Sequence, residues 1–182
     1  MQAKDIEKYL TQLGQELANQ GLQKPIHVLM VGGAYMLLFA KMNNRPTDDI
    51  DVLFLDKEQL QRDLLMSTTQ AIARKHQRDL NNKWLNADAA ELLATLGPIP
   101  EGHPWRNFGP LEIHIPNAEY ILAVKLISTR DKDLTDAQYL CNYLQIRTKE
   151  QARALVHTYI EHPEELYEIC DLEGNLTSIG LL

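Results

Sequence analysis

Asp49 and Asp51 stand one residue apart at the start of the run Asp49–Leu55, DIDVLFL. In an extended strand residues two apart project from the same side, so these two carboxylates face one way together. Placed side by side they repel each other, and a divalent cation would neutralise them. An all-oxygen donor set favours Mg²⁺ or Mn²⁺ over zinc. An Asp-x-Asp pair alone is also common at solvated strand starts. The second chemical signal is Gly32-Gly33, which ends the apolar run Ile26–Val31. Glycine lets the backbone turn sharply and approach a ligand closely, and a helix beginning just beyond points free N–H groups at the turn. Such a turn suits a phosphate, although an isolated Gly-Gly more often serves only as a turn.

The elements that must hold these residues are legible around them. Ile26, Val28, Leu29, Met30 and Val31 follow Pro25 as a short apolar run of strand length, and a helix is expected from near Ala34. Asn43-Asn44-Arg45-Pro46-Thr47 has loop composition, after which Asp49–Leu55 returns to a β-prone pattern.

Strand, Gly-Gly, helix, loop and a strand with paired acids together resemble the nucleotidyltransferase fold superfamily. The segment Arg45-Pro46-Thr47-Asp48-Asp49-Ile50-Asp51-Val52 is most similar to the minimal bacterial nucleotidyltransferases related to the AbiEii-type toxins of toxin–antitoxin systems. The likeness is specific over residues 26–55, weakens over 56–110 and returns at 111–140, where Arg130-Asp131-Lys132-Asp133 and Asp136 follow a helical Lys125. The resemblance implies an α/β (α+β) fold, a small mixed sheet flanked by helices, with a C-terminal helical cap. It implies Mg²⁺ or Mn²⁺ on Asp49 and Asp51 with Glu112 as third ligand. It places a nucleoside triphosphate on Gly32, Gly33, Arg45, Thr47 and Lys125. Asp133 would position Lys125 or the nucleophile, while Asp136 either joins it or caps the next helix. The implied reaction moves a nucleoside monophosphate to an acceptor, such as the 3′ end of tRNA or a protein hydroxyl, in a protein with an antitoxin partner. A small-molecule acceptor is the other class of substrate. The rival reading is a catalytically idle module of the same fold that binds a nucleotide or a partner.

The rest of the chain reads as support. Ile6, Tyr9, Leu10, Leu13 and Leu17 recur at helical spacing, with Gly21 as the stop. Asp56 is expected to cap a helix from near Lys57, with Leu60, Leu64, Leu65, Ala71 and Ile72 inward and Arg74, Lys75, His76 and Arg78 in its last turns. These cations complement the helix dipole or, alternatively, meet RNA. Trp84 reads as core or pocket wall, and Ala87–Leu96 as a helix capped by Asn86 or Asp88. Residues 97–110, rich in proline and glycine, read as a long loop whose His103, Trp105 and Arg106 either cover a site or merely cover surface. Leu111–Ile115 alternates as a strand, with Glu112 and His114 on one face. Lys125 lies among apolar residues of the following helix and must either snorkel or face a polar pocket. Three helices are expected after it, over 136–146, 148–161 and 163–170.

At 182 residues, 45% hydrophobic and 24% charged, the chain is sized for one globular domain, 1–182, comprising a core to residue 130 and a cap from 131. A net charge of −7 argues against broad DNA binding, because unaided grip on phosphate backbones needs a basic surface. Neither a membrane span nor an apolar leader is visible, so a cytoplasmic protein is expected. Cys141 and Cys170 lack metal-ligand spacing and read as buried free thiols.

Overall fold

Ile26–Val31 is the middle strand of a five-stranded mixed sheet. A computed structural model of the chain describes residues 1–42, 46–128, 130–163 and 170–182, with the side chain of Glu91 left aside. In chain order the elements are α1 (Ala3–Asn19), β1 (Ile26–Val31), α2 (Gly32–Leu38), β2 (Ile50–Phe54), α3 (Gln59–Lys75), β3 (Leu85–Asn86), α4 (Asp88–Leu96), β4 (His103–Phe108), β5 (Leu111–Ile115), α5 (Ala118–Leu126), α6 (Asp131–Leu144), α7 (Lys149–Tyr159) and α8 (Leu172–Ser178). The expected α/β class, a mixed sheet flanked by helices, is the one observed. The chain divides into two compact units: residues 1–91 with 99–116, and residues 92–98 with 117–182.

The first unit holds the sheet, in the order β3-β2-β1-β5-β4. β1 runs antiparallel to β2 and parallel to β5. β2 runs parallel to β3, and β4 antiparallel to β5. Strand alternation sends Ile26, Val28 and Met30 to one face, where they join Ile50, Val52, Leu111 and Ile113. Ile6, Leu10, Leu13 and Leu17 of α1 and Leu65 and Ile72 of α3 complete that core, with Trp84 fully buried. The helical spacing read from α1 is thus the spacing of its buried side. Trp84 also donates its indole N–H to the Thr69 carbonyl at 3.1 Å, which satisfies the one polar atom it buries.

Two expectations are corrected here. His103–Phe108 is a strand, although it lies within the segment expected to be loop. It is the edge of the sheet, which tolerates Pro104 and a register shift between Pro104 and Arg106. Trp105 packs edge-on against Phe39 at 5.1 Å, and Arg106 pairs with Glu7 at 2.9 Å. Asp56 does not cap α3, which begins three residues later with Glu58 at its N-cap. Its carboxylate instead accepts from the His27 backbone N–H at 2.7 Å.

The second unit is helical. Asn117 caps α5 by accepting from the Tyr120 N–H at 3.0 Å, and Thr148 with Gln151 forms the expected capping box on α7. Leu122, Leu126, Leu140, Val156, Leu172 and Leu176 are buried in it. Asn175 closes the end of α5 by donating to the Leu126 carbonyl at 2.8 Å. Cys141 and Cys170 are free and buried. Among the described residues no helix is long and apolar enough to cross a membrane.

Candidate functional site

Gly32 and Asp51 meet where β1 turns into α2. The register pairs Val31 with Asp51, so the carboxylate emerges beside the last residue of β1. Gly32 has φ +65°, a conformation L side chains rarely adopt. A Cβ built on it would lie 2.2 Å from Asp51 Oδ2, so the carboxylate occupies the space that only glycine leaves open. Gly33 is buried as the second residue of α2. Sequence reading is therefore right to take the glycine turn and the acidic strand as one structure.

Asp49 immediately precedes β2 and is half-buried. Its backbone carbonyl accepts from Thr47 Oγ1 at 2.8 Å. Thr47 is itself buried and donates its N–H to the Met1 carbonyl at 3.2 Å. Its hydroxyl thus holds the backbone of the first acid in place. Arg45 lies outside the described residues.

Asn86 is the neighbour that sequence reading misses. It lies on the two-residue strand β3, paired with Asp51, and its Nδ2 donates to Asp51 Oδ1 at 3.2 Å. Its Oδ1 accepts from the N–H of Asp88, the first residue of α4, at 3.1 Å; the helix starts one residue later than expected, so Asn86 stands before its N-cap. One amide therefore fixes both a candidate metal ligand and the start of α4. A two-residue strand leaves no period to read; the only signal was an asparagine between an apolar pair and a helix.

Glu112 is not brought to the aspartates. β5 pairs Glu112 with His27, four residues before Val31 along β1, which is about 13 Å at ~3.3 Å per residue. Alternation gives the face on which Glu112 lies, but the strand register decides its level along the sheet. Its carboxylate sits instead between two histidines, 3.0 Å from His114 Nε2 and 3.8 Å from His27 Nε2. The described residues supply no third metal-binding acid beside Asp49 and Asp51.

Within the helical unit, Lys125 resolves its sequence ambiguity by facing inward. Its ammonium is buried and pairs with Asp133 and with Asp136, the latter at 2.8 Å. Asp133 also accepts from Ser128 Oγ and Arg130 Nε, each at 2.6 Å. Burial pushes the Asp133 carboxyl upward, but the charge and hydrogen bond of Lys125, with those of Ser128 and Arg130, outweigh it and hold the group below its ordinary value. Asp136 lies within α6, away from its N-terminal end, and pairs with Lys125.

What the acidic turn can do chemically follows from its donors. Two carboxylates fit Mg²⁺, which commonly takes one or two protein acids and completes its shell with water and substrate phosphate. The Gly32 cradle itself holds the Asp51 carboxylate.

No family model matches the chain, and no curated protein matches it. Among solved structures it is similar to the crystal structure of an antigenic nucleotidyltransferase-like protein from Paracoccidioides brasiliensis, at 14% identity and a TM-score of 0.48, over 98% of this chain and 93% of that one.

Proposed function

We propose that this protein is a metal-dependent nucleotidyltransferase that moves a nucleoside monophosphate from a nucleoside triphosphate to an acceptor hydroxyl. The observation that carries the reading is the seat of the Asp51 carboxylate in the Gly32 turn, which unites the two chemical signals of the sequence. Asp49 and Asp51 would hold Mg²⁺ or Mn²⁺, whose chemistry when bound is to neutralise the triphosphate and polarise the α-phosphoryl group. Gly32 makes room for the Asp51 carboxylate, the Gly32-Gly33 backbone is the part proposed to meet phosphate, Asn86 keeps Asp51 oriented, and Thr47 fixes the backbone of Asp49. In the reaction the acceptor oxygen bonds to the α-phosphorus as its bond to the pyrophosphate oxygen breaks. Pyrophosphate and the hydroxyl proton leave. Positioning and charge carry most of such a transfer, so few residues suffice.

The helical unit enters the proposal separately. Lys125 is the residue proposed to meet phosphate and Asp133 the one that orients it, with Arg45 as a further cation. The acceptor proposed from the toxin resemblance is tRNA or a protein hydroxyl, with an antitoxin as partner and the cytoplasm as location.

A second reading is a nucleotide- or partner-binding module without turnover. The engagement of Glu112 with His27 and His114 favours it, because the third carboxylate of the expected set is then missing. Pyrophosphate release separates the two. The wild type, given each nucleoside triphosphate with Mg²⁺ and total cellular RNA and protein, should release pyrophosphate, and Asp49→Ala/Asp51→Ala should not. Mg²⁺-dependent nucleotide binding without pyrophosphate release would support the idle module instead.

A further inference from the structure

Lys83 is anchored beside the backbone that carries Asp49. Two residues before it, Asn81 donates from Nδ2 to the Asp48 carbonyl at 3.0 Å, and one residue after it the Trp84 carbonyl accepts from the Ile50 N–H at 2.7 Å. These contacts grip Asp49 from both sides. Lys83 donates its own backbone N–H to Asn81 Oδ1 at 2.7 Å, which fixes its main chain at that level of the sheet. Its ammonium pairs with the carboxylate of Asp88, the first residue of α4. Asp88 in turn donates its N–H to Asn86, whose amide holds Asp51. One connected set of contacts therefore links the ammonium to both acids, and all of it lies in the first compact unit.

Charge decides what such a cation is for. A divalent ion on Asp49 and Asp51 only matches those two carboxylates, so a triphosphate gathered by it brings negative charge that cations of the chain must offset. Lys125 is buried between Asp133 and Asp136, so two carboxylates already claim its charge. The Lys83–Asp88 pair is different, with side chains 71% and 64% exposed. An exposed ion pair contributes little to stability, so the ammonium can leave Asp88 for a more highly charged group at small cost. Its flexible four-carbon stem permits the move, and a lysine suits phosphate as a point charge.

We propose that Lys83 is a further substrate-binding residue, which meets the β- and γ-phosphates of the nucleoside triphosphate and releases Asp88 as it does so. The inference rests on the nucleotidyltransferase reading above and names the part of the nucleotide that Lys83 touches, the two phosphates that leave as pyrophosphate. Asp49 and Asp51 hold the metal, and Lys83 reaches the phosphates from the side of β3. Asp88 keeps the ammonium close to the acids until phosphate displaces it.

The test titrates the full chain with each nucleoside triphosphate in the presence of Mg²⁺ by calorimetry, with inorganic pyrophosphate as competitor. The wild type should bind a triphosphate, and pyrophosphate should compete with it. Lys83→Ala should weaken triphosphate binding roughly tenfold or more and weaken pyrophosphate competition by a similar factor. Its thermal melt without nucleotide should stay at the wild-type midpoint, since only an exposed pair is lost. Asp88→Asn breaks the same pair but frees the ammonium, and should bind the triphosphate at least as tightly as the wild type. Triphosphate binding that Lys83→Ala leaves unchanged would overturn the inference and leave the nucleotidyltransferase reading standing. So would pyrophosphate competition that is absent or unaltered by Lys83→Ala, or a loss in Asp88→Asn as large as that in Lys83→Ala. Absence of triphosphate binding by the wild type would overturn both the inference and the reading it rests on.

Discussion

The Asp51 carboxylate sits against Gly32 so closely that a methyl group on the glycine would be 2.2 Å from Oδ2. Gly32→Ala therefore has two expected effects. The left-handed backbone at φ +65° costs an alanine about 1–2 kcal/mol, and the new methyl pushes the carboxylate out of its seat. A thermal melt should show the first effect, and an Mg²⁺ titration of nucleotide binding should show a larger loss than that destabilisation explains. Unchanged Mg²⁺ dependence would separate the turn from the metal.

Asn86→Ala removes the hydrogen bond to Asp51 and the contact at the start of α4 together. The stability loss should be about 1–2 kcal/mol by denaturant unfolding. Asn86→Asp keeps an acceptor for the Asp88 N–H but loses the donor to Asp51. Its new carboxylate faces that of Asp51, so it should recover little of the stability without Mg²⁺ while shifting the Mg²⁺ requirement for nucleotide binding.

Lys125→Ala leaves Asp133 and Asp136 buried without their shared cation, and should cost roughly 3–5 kcal/mol. Lys125→Ala with Asp133→Asn and Asp136→Asn should be less destabilised than the single variant, since it leaves no uncompensated charge. Equal losses would show that packing, and not charge, dominates.

The same cluster sets an acid limit. The Asp133 carboxyl titrates lower in the folded chain than its ordinary 3.8. Its stabilising contribution is therefore complete above that ordinary value and is lost as pH falls through the lower folded value. Asp133→Asn should flatten the stability profile below about pH 4. An unchanged acid limb would place the acid sensitivity elsewhere.

Burial raises the Cys141 thiol to about 11. Near pH 8 it should react with a thiol reagent far more slowly in the folded protein than in denaturant, by at least tenfold. Rapid labelling without denaturant would show that the helical unit opens readily.

The sequence is most legible where local pattern and burial agree. The apolar run of β1, its Gly-Gly stop and the acidic start of β2 each follow from local rules, and so does the buried stripe of α1. β4 was hidden because an edge strand is exposed on both faces and accommodates proline, so it reads as loop. Asp56 obeyed a partner distant in sequence, His27, over the nearby helix end. Glu112 shows the sharper limit: alternation fixed its face, but only the pairing of β5 with β1 shows that it stands beside His27 and not beside Asp51. Lys125 looked anomalous in sequence, and the anomaly pointed to its buried aspartates.

Transfer of label from an α-phosphate-labelled nucleoside triphosphate tests the central claim most directly. Wild-type protein with Mg²⁺ and total cellular RNA and protein should place label on a discrete RNA or protein band, and Asp51→Asn should reduce its rate by roughly 10²–10³-fold. Label that appears equally with Asp49→Ala/Asp51→Ala, or no label at all while the nucleotide still binds, would contradict a nucleotidyl transfer centred on these two acids.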